Sequence, residues 1–160
     1  MNWTEFGVQW LHILLGTFWF GGVLFGNFVL LPAVMRLPAD QQGRTVHLIG
    51  EQGNRIIPWV ASGTIVLGFI RGTALGNIKD VAGLGTTYGI EWLIGLIAAV
   101  ATFAWGTLVL GPAAEGLTAG GVASAPAAEI ARVKRYALLE LVGFFVIFTT
   151  MILMHFAGEA

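Results

Sequence analysis

Apolar positions gather into four long runs along the chain, separated by three polar segments. The first runs from about Phe6 to Leu31 and ends against Pro32, and the second from Ile56 to about Leu75. The third runs from about Trp92 to Leu110 and the fourth from about Tyr136 to Ala157. Runs of about 20 apolar residues are what a helix needs to cross a bilayer core of roughly 30 Å. The pattern predicts an all-α polytopic membrane protein, a bundle of four transmembrane helices with residues 1–160 as one membrane domain.

Composition narrows the class further. Charged residues are 11% of the chain and apolar residues 56%, with a mean hydropathy of +0.80. A soluble domain carries roughly 25% charge, so a soluble enzyme, a disordered tail and a basic nucleic-acid binder are excluded. The absence of cysteine removes disulfides, iron–sulfur ligation and thiolate metal sites. The opening Met1-Asn2-Trp3-Thr4-Glu5 has no basic region, so the first run is expected to be a retained span and not a cleaved signal.

The basic residues orient the bundle. Arg36, Arg44 and Arg55 lie in the first connection and Arg132, Lys134 and Arg135 in the third, against Arg71 and Lys79 around the second. The positive-inside rule places connections one and three in the cytoplasm and both termini outside, in a bacterial inner membrane. Trp3, Trp10, Trp59 and Trp92 suit interfacial anchors near span ends.

The connections carry their own signals. Asp40 is expected to cap a short helix through Arg44, Val46, His47 and Ile49, with Arg55 and Pro58 leading into span two. The third connection loosens at Gly116, Gly120 and Gly121, and Ser124 and Pro126 suit a helix start that runs on into span four. No internal repeat is evident. Gly83-Leu-Gly85 lacks the lysine and hydroxyl of a phosphate loop and reads as a turn. Gly22 with Gly26, and Gly68, Gly72 and Gly76, have the spacing of close helix packing; some of these gaps could instead admit a flat cofactor.

The candidate chemistry centres on two histidines. His12 lies one to two turns inside span one and His155 less than a turn inside the far end of span four. With both termini outside, the two sit at comparable depth. Ionisable groups within a span are costly and face the bundle interior or a water-filled cavity, and imidazole ligates haem iron and copper. Gly16 and Trp19 follow His12 at helical spacing, and Met151 and Phe148 precede His155, which would clear and line a slot for a porphyrin. The plain alternative for either histidine is an interfacial residue bonded to a carbonyl.

Other polar residues are weaker candidates. Arg71 could meet a propionate at the outer face or extend to lipid headgroups, and Glu91 could pair with it. His47 is expected to be an exposed loop histidine. Glu140 is expected to pair with Arg132 or Arg135, and Asn27 to bond across helices. Met151 and Met154 beside His155 leave a copper cluster open.

The segment Trp10-Leu-His12-Ile-Leu-Leu-Gly16-Thr-Phe-Trp19-Phe-Gly21-Gly22 resembles the first span of the copper-resistance D-like (CopD-like) superfamily of bacterial membrane proteins. The small membrane protoporphyrinogen oxidases of the haem pathway are distantly similar to that group. Pro58 before span two, Gly68 and Gly72 at its end, and Gly85-Thr-Thr-Tyr88-Gly89 before span three agree with it. The resemblance implies a four-helix unit with His12 as its functional histidine, a haem b ligand in the haem-pathway branch. Both branches tend to carry a lysine early in span three, and here that span has none, which disfavours porphyrinogen oxidation.

The expectation is a small b-type haem protein of electron transfer. Its metal ligands would be His12 and His155, and Gly16, Trp19, Phe148, Met151 and Arg71 would contact the cofactor. Its partners would be membrane lipid, a redox protein, and a second copy or a larger membrane complex. The alternatives are copper handling through His12, His155, Met151 and Met154, and a haem-free structural subunit.

Overall fold

A computed structural model describes residues 2–119 and 125–157. The order is α1 (Trp3–Phe25), a π-helical turn (Gly26–Leu30), α2 (Leu31–Val34), α3 (Ala39–Gly72), a 3-10 turn (Ala82–Gly85), α4 (Thr87–Trp105), a second π-helical turn (Gly106–Leu110), α5 (Gly111–Ala119) and α6 (Ala127–Ala157). There is no strand among the described residues. Four stretches, Trp3–Val34, Asp40–Gly72, Thr87–Leu117 and Ala127–Ala157, are long and apolar enough to cross a membrane. At 31 to 33 residues each, they measure about 46–50 Å at 1.5 Å per residue. They therefore outrun the apolar runs that define them.

That excess changes the expected boundaries. The first helix does not stop at Pro32 but passes it to Val34. The short helix expected after Asp40 is the first part of α3, which continues through Pro58 as one 34-residue helix. Pro38, not Asp40, is its N-cap, and Asp40 lies in its first turn. The third helical stretch continues past Leu110 and through Gly116, where a loose connection was expected. Gly120, Gly121 and Ser124 lie outside the described residues. Glu129 falls in the first turn of α6.

The molecule is two helical hairpins built on one plan, a repeat that was not apparent from the chain. Each begins with a long apolar helix (α1, α4), widens into a π-helical turn, passes a proline and returns as a second long helix (α3, α6). The turns read Gly26-Asn-Phe-Val29-Leu30-Leu-Pro32-Ala33 and Gly106-Thr-Leu-Val109-Leu110-Gly-Pro112-Ala113. Proline cannot donate to the carbonyl one turn back, and its ring crowds that carbonyl. The helix accommodates it by widening, with Leu31 N–H donating to Gly26 and Gly111 N–H to Gly106, five residues back in each case.

Within each hairpin the helices pack along their length, and α3 packs on α4 to join the two. The α4–α6 register is set by side chains seated in glycine gaps. Thr150 lies against Gly95, Thr102 against Gly143, and Glu140 against Gly106. A Cβ at any of these glycines would meet its partner at less than contact distance. In the first hairpin Gly16 faces Thr64 and Gly22 faces Ile57. Gly26 faces nothing, so the Gly22 and Gly26 pair does not act as one close-packing motif. Asn27 bonds to Val23 within its own helix, not across the bundle.

The core is a layer of Trp19, Ala61, Ala99, Phe144 and Ile147 across the middle of the bundle. Trp59 is 80% exposed beside that layer, so it faces outward at mid-height and is not at a span end. Trp92 is buried and is no interfacial anchor either, whereas Trp3 and Trp10 are exposed near the chain start. A smaller cluster of Leu117 and Val133 ties α5 to the start of α6, near the bond from Trp105 Nε1 to the Tyr136 carbonyl.

Candidate functional site

Above the central layer, toward the end that carries both termini, α3 and α4 stay joined through Trp92 while α1 and α6 part. A cavity of about 790 Å³ opens there, inside the range of roughly 300–1,000 Å³ common to small-molecule sites. Trp19, Ala99, Phe144 and Ile147 form its floor, Gly68, Gly72 and Trp92 its α3–α4 wall, and Phe148, Met151 and His155 its α6 wall. His12, Gly16 and Arg71 also line it. All seven residues singled out from the chain thus border one cavity.

Ring contacts between α1 and α6 fix the relative depth of the two histidines. The rings of Phe20 and Phe148 meet at 4.8 Å, which puts those two residues at one level of α1 and α6. His12 lies eight residues above Phe20 and His155 seven above Phe148, or about 12 and 10.5 Å along their helices. The His12 layer is completed by Gly68, which receives the imidazole, and by Trp92, whose Nε1 donates to the Gly68 carbonyl at 3.3 Å.

His12 is the best-defined member. It is 9% exposed, and its Nδ1 lies 2.9 Å from the carbonyl oxygen of Thr64. A carbonyl only accepts, so Nδ1 carries a proton, and in the neutral imidazole Nε2 then keeps its lone pair. Metal-ligating histidines are commonly oriented in this way, through the other ring nitrogen. The ring fits because Gly68 has no side chain; a Cβ there would lie 2.9 Å from His12 Cε1. One turn later Gly72 makes the same room for the indole of Trp92. The small-residue series on α3 therefore seats two flat rings of the protein itself, one from each neighbouring helix.

His155 stands at the cavity rim, exposed, with its ring 5.7 Å from that of Phe156. Arg71 turns back to its own helix end, where one terminal nitrogen donates to the Leu75 carbonyl at 3.2 Å, and its Nε is buried without a partner. Glu91 Oε2 is also buried without a partner, and Arg71 and Glu91 form no ion pair with each other. Glu140, expected to pair with Arg132 or Arg135, pairs with neither and instead fills the gap at Gly106. His47 is exposed on α3 and borders a separate surface groove with Arg44, Glu51 and Asn54. Among the described residues no group of three or more His, Cys, Asp or Glu side chains converges as a metal site.

Thr64 and Trp92 were not anticipated as site residues. The chain offered one signal for Thr64, since it falls on the same face of α3 as Gly68, one turn earlier. Trp92 offered none, because a tryptophan at the start of an apolar run looks the same whether it faces headgroups or a glycine. No known protein family, curated protein or solved structure matches the chain.

Proposed function

We propose that this protein is a small membrane-embedded b-type haem protein of electron transfer, with His12 of α1 and His155 of α6 as the residues that would hold the iron. The observation that carries the reading is the His12 imidazole, oriented by the Thr64 carbonyl with Nε2 left to coordinate, in a ring-lined cavity that His155 borders at similar depth. Arg71, with a buried Nε that has no protein partner, suits a cofactor carboxylate. Bound there, haem supplies reversible one-electron chemistry. His12 and His155 together would leave no iron position open to substrate, which favours a carrier over an enzyme. Trp19 and Phe144 would close the site from below and keep its surroundings apolar.

The resemblance of the Trp10 to Gly22 segment to the CopD-like superfamily supports His12 in this role. The distribution of basic residues supports a bacterial inner membrane with both termini outside. Because the chain has no cysteine, single cysteines placed at the chain start and at exposed His47 report topology by impermeant thiol labelling. Labelling of the start from the cytoplasm would reverse the orientation.

The deciding experiment is the visible spectrum of the purified protein, oxidised and reduced, with and without carbon monoxide, for the parent, His12→Ala and His155→Ala. Loss of haem in both variants with no gas binding by the parent is the expected result. Full haem retention in His155→Ala would remove His155 and leave an open iron position, and a haem-free parent would end the reading. A second reading, copper as cargo, is favoured by the two thioethers Met151 and Met154, which line the cavity with both histidines. It predicts a colourless protein and copper-dependent growth.

A further inference from the structure

The walls of the cavity are not equally closed. On α3 and α4 its lining residues, among them Gly72, Trp92 and Gly95, are buried or half-buried. On α1 and α6 the same cavity is lined by residues that also face outward: Ile13 (55% exposed) and Thr17 on one side, Ile152 (58%) and Phe156 (62%) on the other. Lower down, α1 and α6 meet through rings, Trp19 with Phe144 and Phe20 with Phe144 and Phe148. Above those rings a slot runs between the two helices. From Phe148 to Phe156 it is about 12 Å tall by helical rise. In a bundle that crosses a bilayer this slot faces acyl chains, not water. At the top of the cavity, by contrast, lie polar groups: Arg71 with its unpartnered Nε, Asn77, Tyr88 and Gln9.

We infer that the cavity is loaded sideways from the bilayer, through the slot between α1 and α6, by an amphiphile with a flat apolar body and a carboxylate edge. The apolar sides of the slot let such a body pass without crossing water, and Arg71 waits at the level where its carboxylate stays near the surface. A ligand arriving from water would meet the polar rim first and would have to drive its apolar body past it. This rests on the haem reading only for the identity of the amphiphile.

The test uses the cofactor-free full-length protein in liposomes. Haemin is supplied either dissolved beforehand in the bilayer or from water on serum albumin, and growth of the bound-haem absorption band is timed. Two variants fill opposite approaches at exposed positions: Thr17→Trp with Ile152→Trp narrows the slot, and Asn77→Trp crowds the aqueous rim. The slot variant should take up bilayer haemin at least tenfold more slowly, with the same final amount, while Asn77→Trp keeps the parent rate. Unchanged uptake in the slot variant, or equal slowing by Asn77→Trp, overturns the inference. If the parent takes up no haemin from either source, the haem reading fails and nitroxide-labelled stearic acid in the same vesicles decides the portal. A motionally restricted fraction that falls in the slot variant and in Arg71→Gln supports it. No restricted fraction, or one equally large with a neutral nitroxide phospholipid, overturns it.

Discussion

The two hairpins share a plan and differ in what each seats in its glycine gaps. In the first, Gly68 on α3 receives the His12 ring near the end that carries the termini, and Gly26 at its π-helical turn receives nothing. In the second, Gly106 at the equivalent turn receives Glu140, and the α4 residue at the level of His12 is Trp92, turned onto α3. The same backbone solution, a helix widened ahead of a proline, thus leaves its glycine gap empty in one hairpin and filled by a buried carboxyl in the other. A gap at glycine is a socket, and what fills it decides what the hairpin can do. Glycine spacing alone says only that something approaches closely.

The largest loss of stability is expected at the seam between the hairpins. Gly72→Val places a methyl-bearing Cβ on the buried Trp92 indole. Overpacking of this kind costs about 1–3 kcal/mol or more, and a backbone shift here would also disturb the Trp92 bond to Gly68. The thermal midpoint in detergent should fall steeply. Gly26→Val, at a socket with nothing near it, should leave the midpoint within error. Equal losses in the two would show that the sockets do not differ.

His12→Ala tests the difference in chemistry. It should abolish the bound chromophore while the helix content by circular dichroism stays at the parent value. Glu140→Ala, in the other hairpin, should keep the chromophore. A protein that loses colour in both would show that the gap at Gly106 and the His12 site are not independent.

Two smaller effects sharpen the picture of the second hairpin. Trp105→Phe removes the donor to the Tyr136 carbonyl, a net loss of about 1 kcal/mol, read as a modest drop in unfolding midpoint. Glu140→Gln keeps the shape of the carboxyl that fills the Gly106 gap and removes an ionisable group that no arginine or lysine pairs with. Its effect should be neutral or slightly stabilising, within about 1 kcal/mol, because a buried ionisable group without a partner contributes no net stability. A loss as large as that of Gly72→Val would mean that Glu140 makes a bond the structure does not contain.

Much of the architecture was readable from the chain because lipid makes simple demands. A helix that satisfies its own backbone and shows apolar side chains outward announces itself by length and hydropathy, and all four spans did so. The positions of His12, buried, and His155, exposed at the rim, follow the same demand, since a polar ring in such a helix must face inward or lie at the surface. The ends of the helices were not legible. Pro32, Pro58 and Gly116 look like stops, yet the first helix passes Pro32 through a wider turn, α3 carries Pro58 inside a continuous α-helix, and α5 runs through Gly116.

What the sequence by itself determined is the number of spans, their alternating direction and the height of each residue along its helix, all consequences of local hydrogen bonding and a fixed rise per residue. Rotation about the helix axes was decided only by the tertiary structure. It turned His12 onto the Thr64 carbonyl, seated Trp92 between the hairpins and sent Glu140 into the Gly106 gap away from every cation. Lipid is as apolar as the helices, so hydropathy cannot say which face of a span turns inward; the fit of rings and threonines into glycine gaps chose among the rotations.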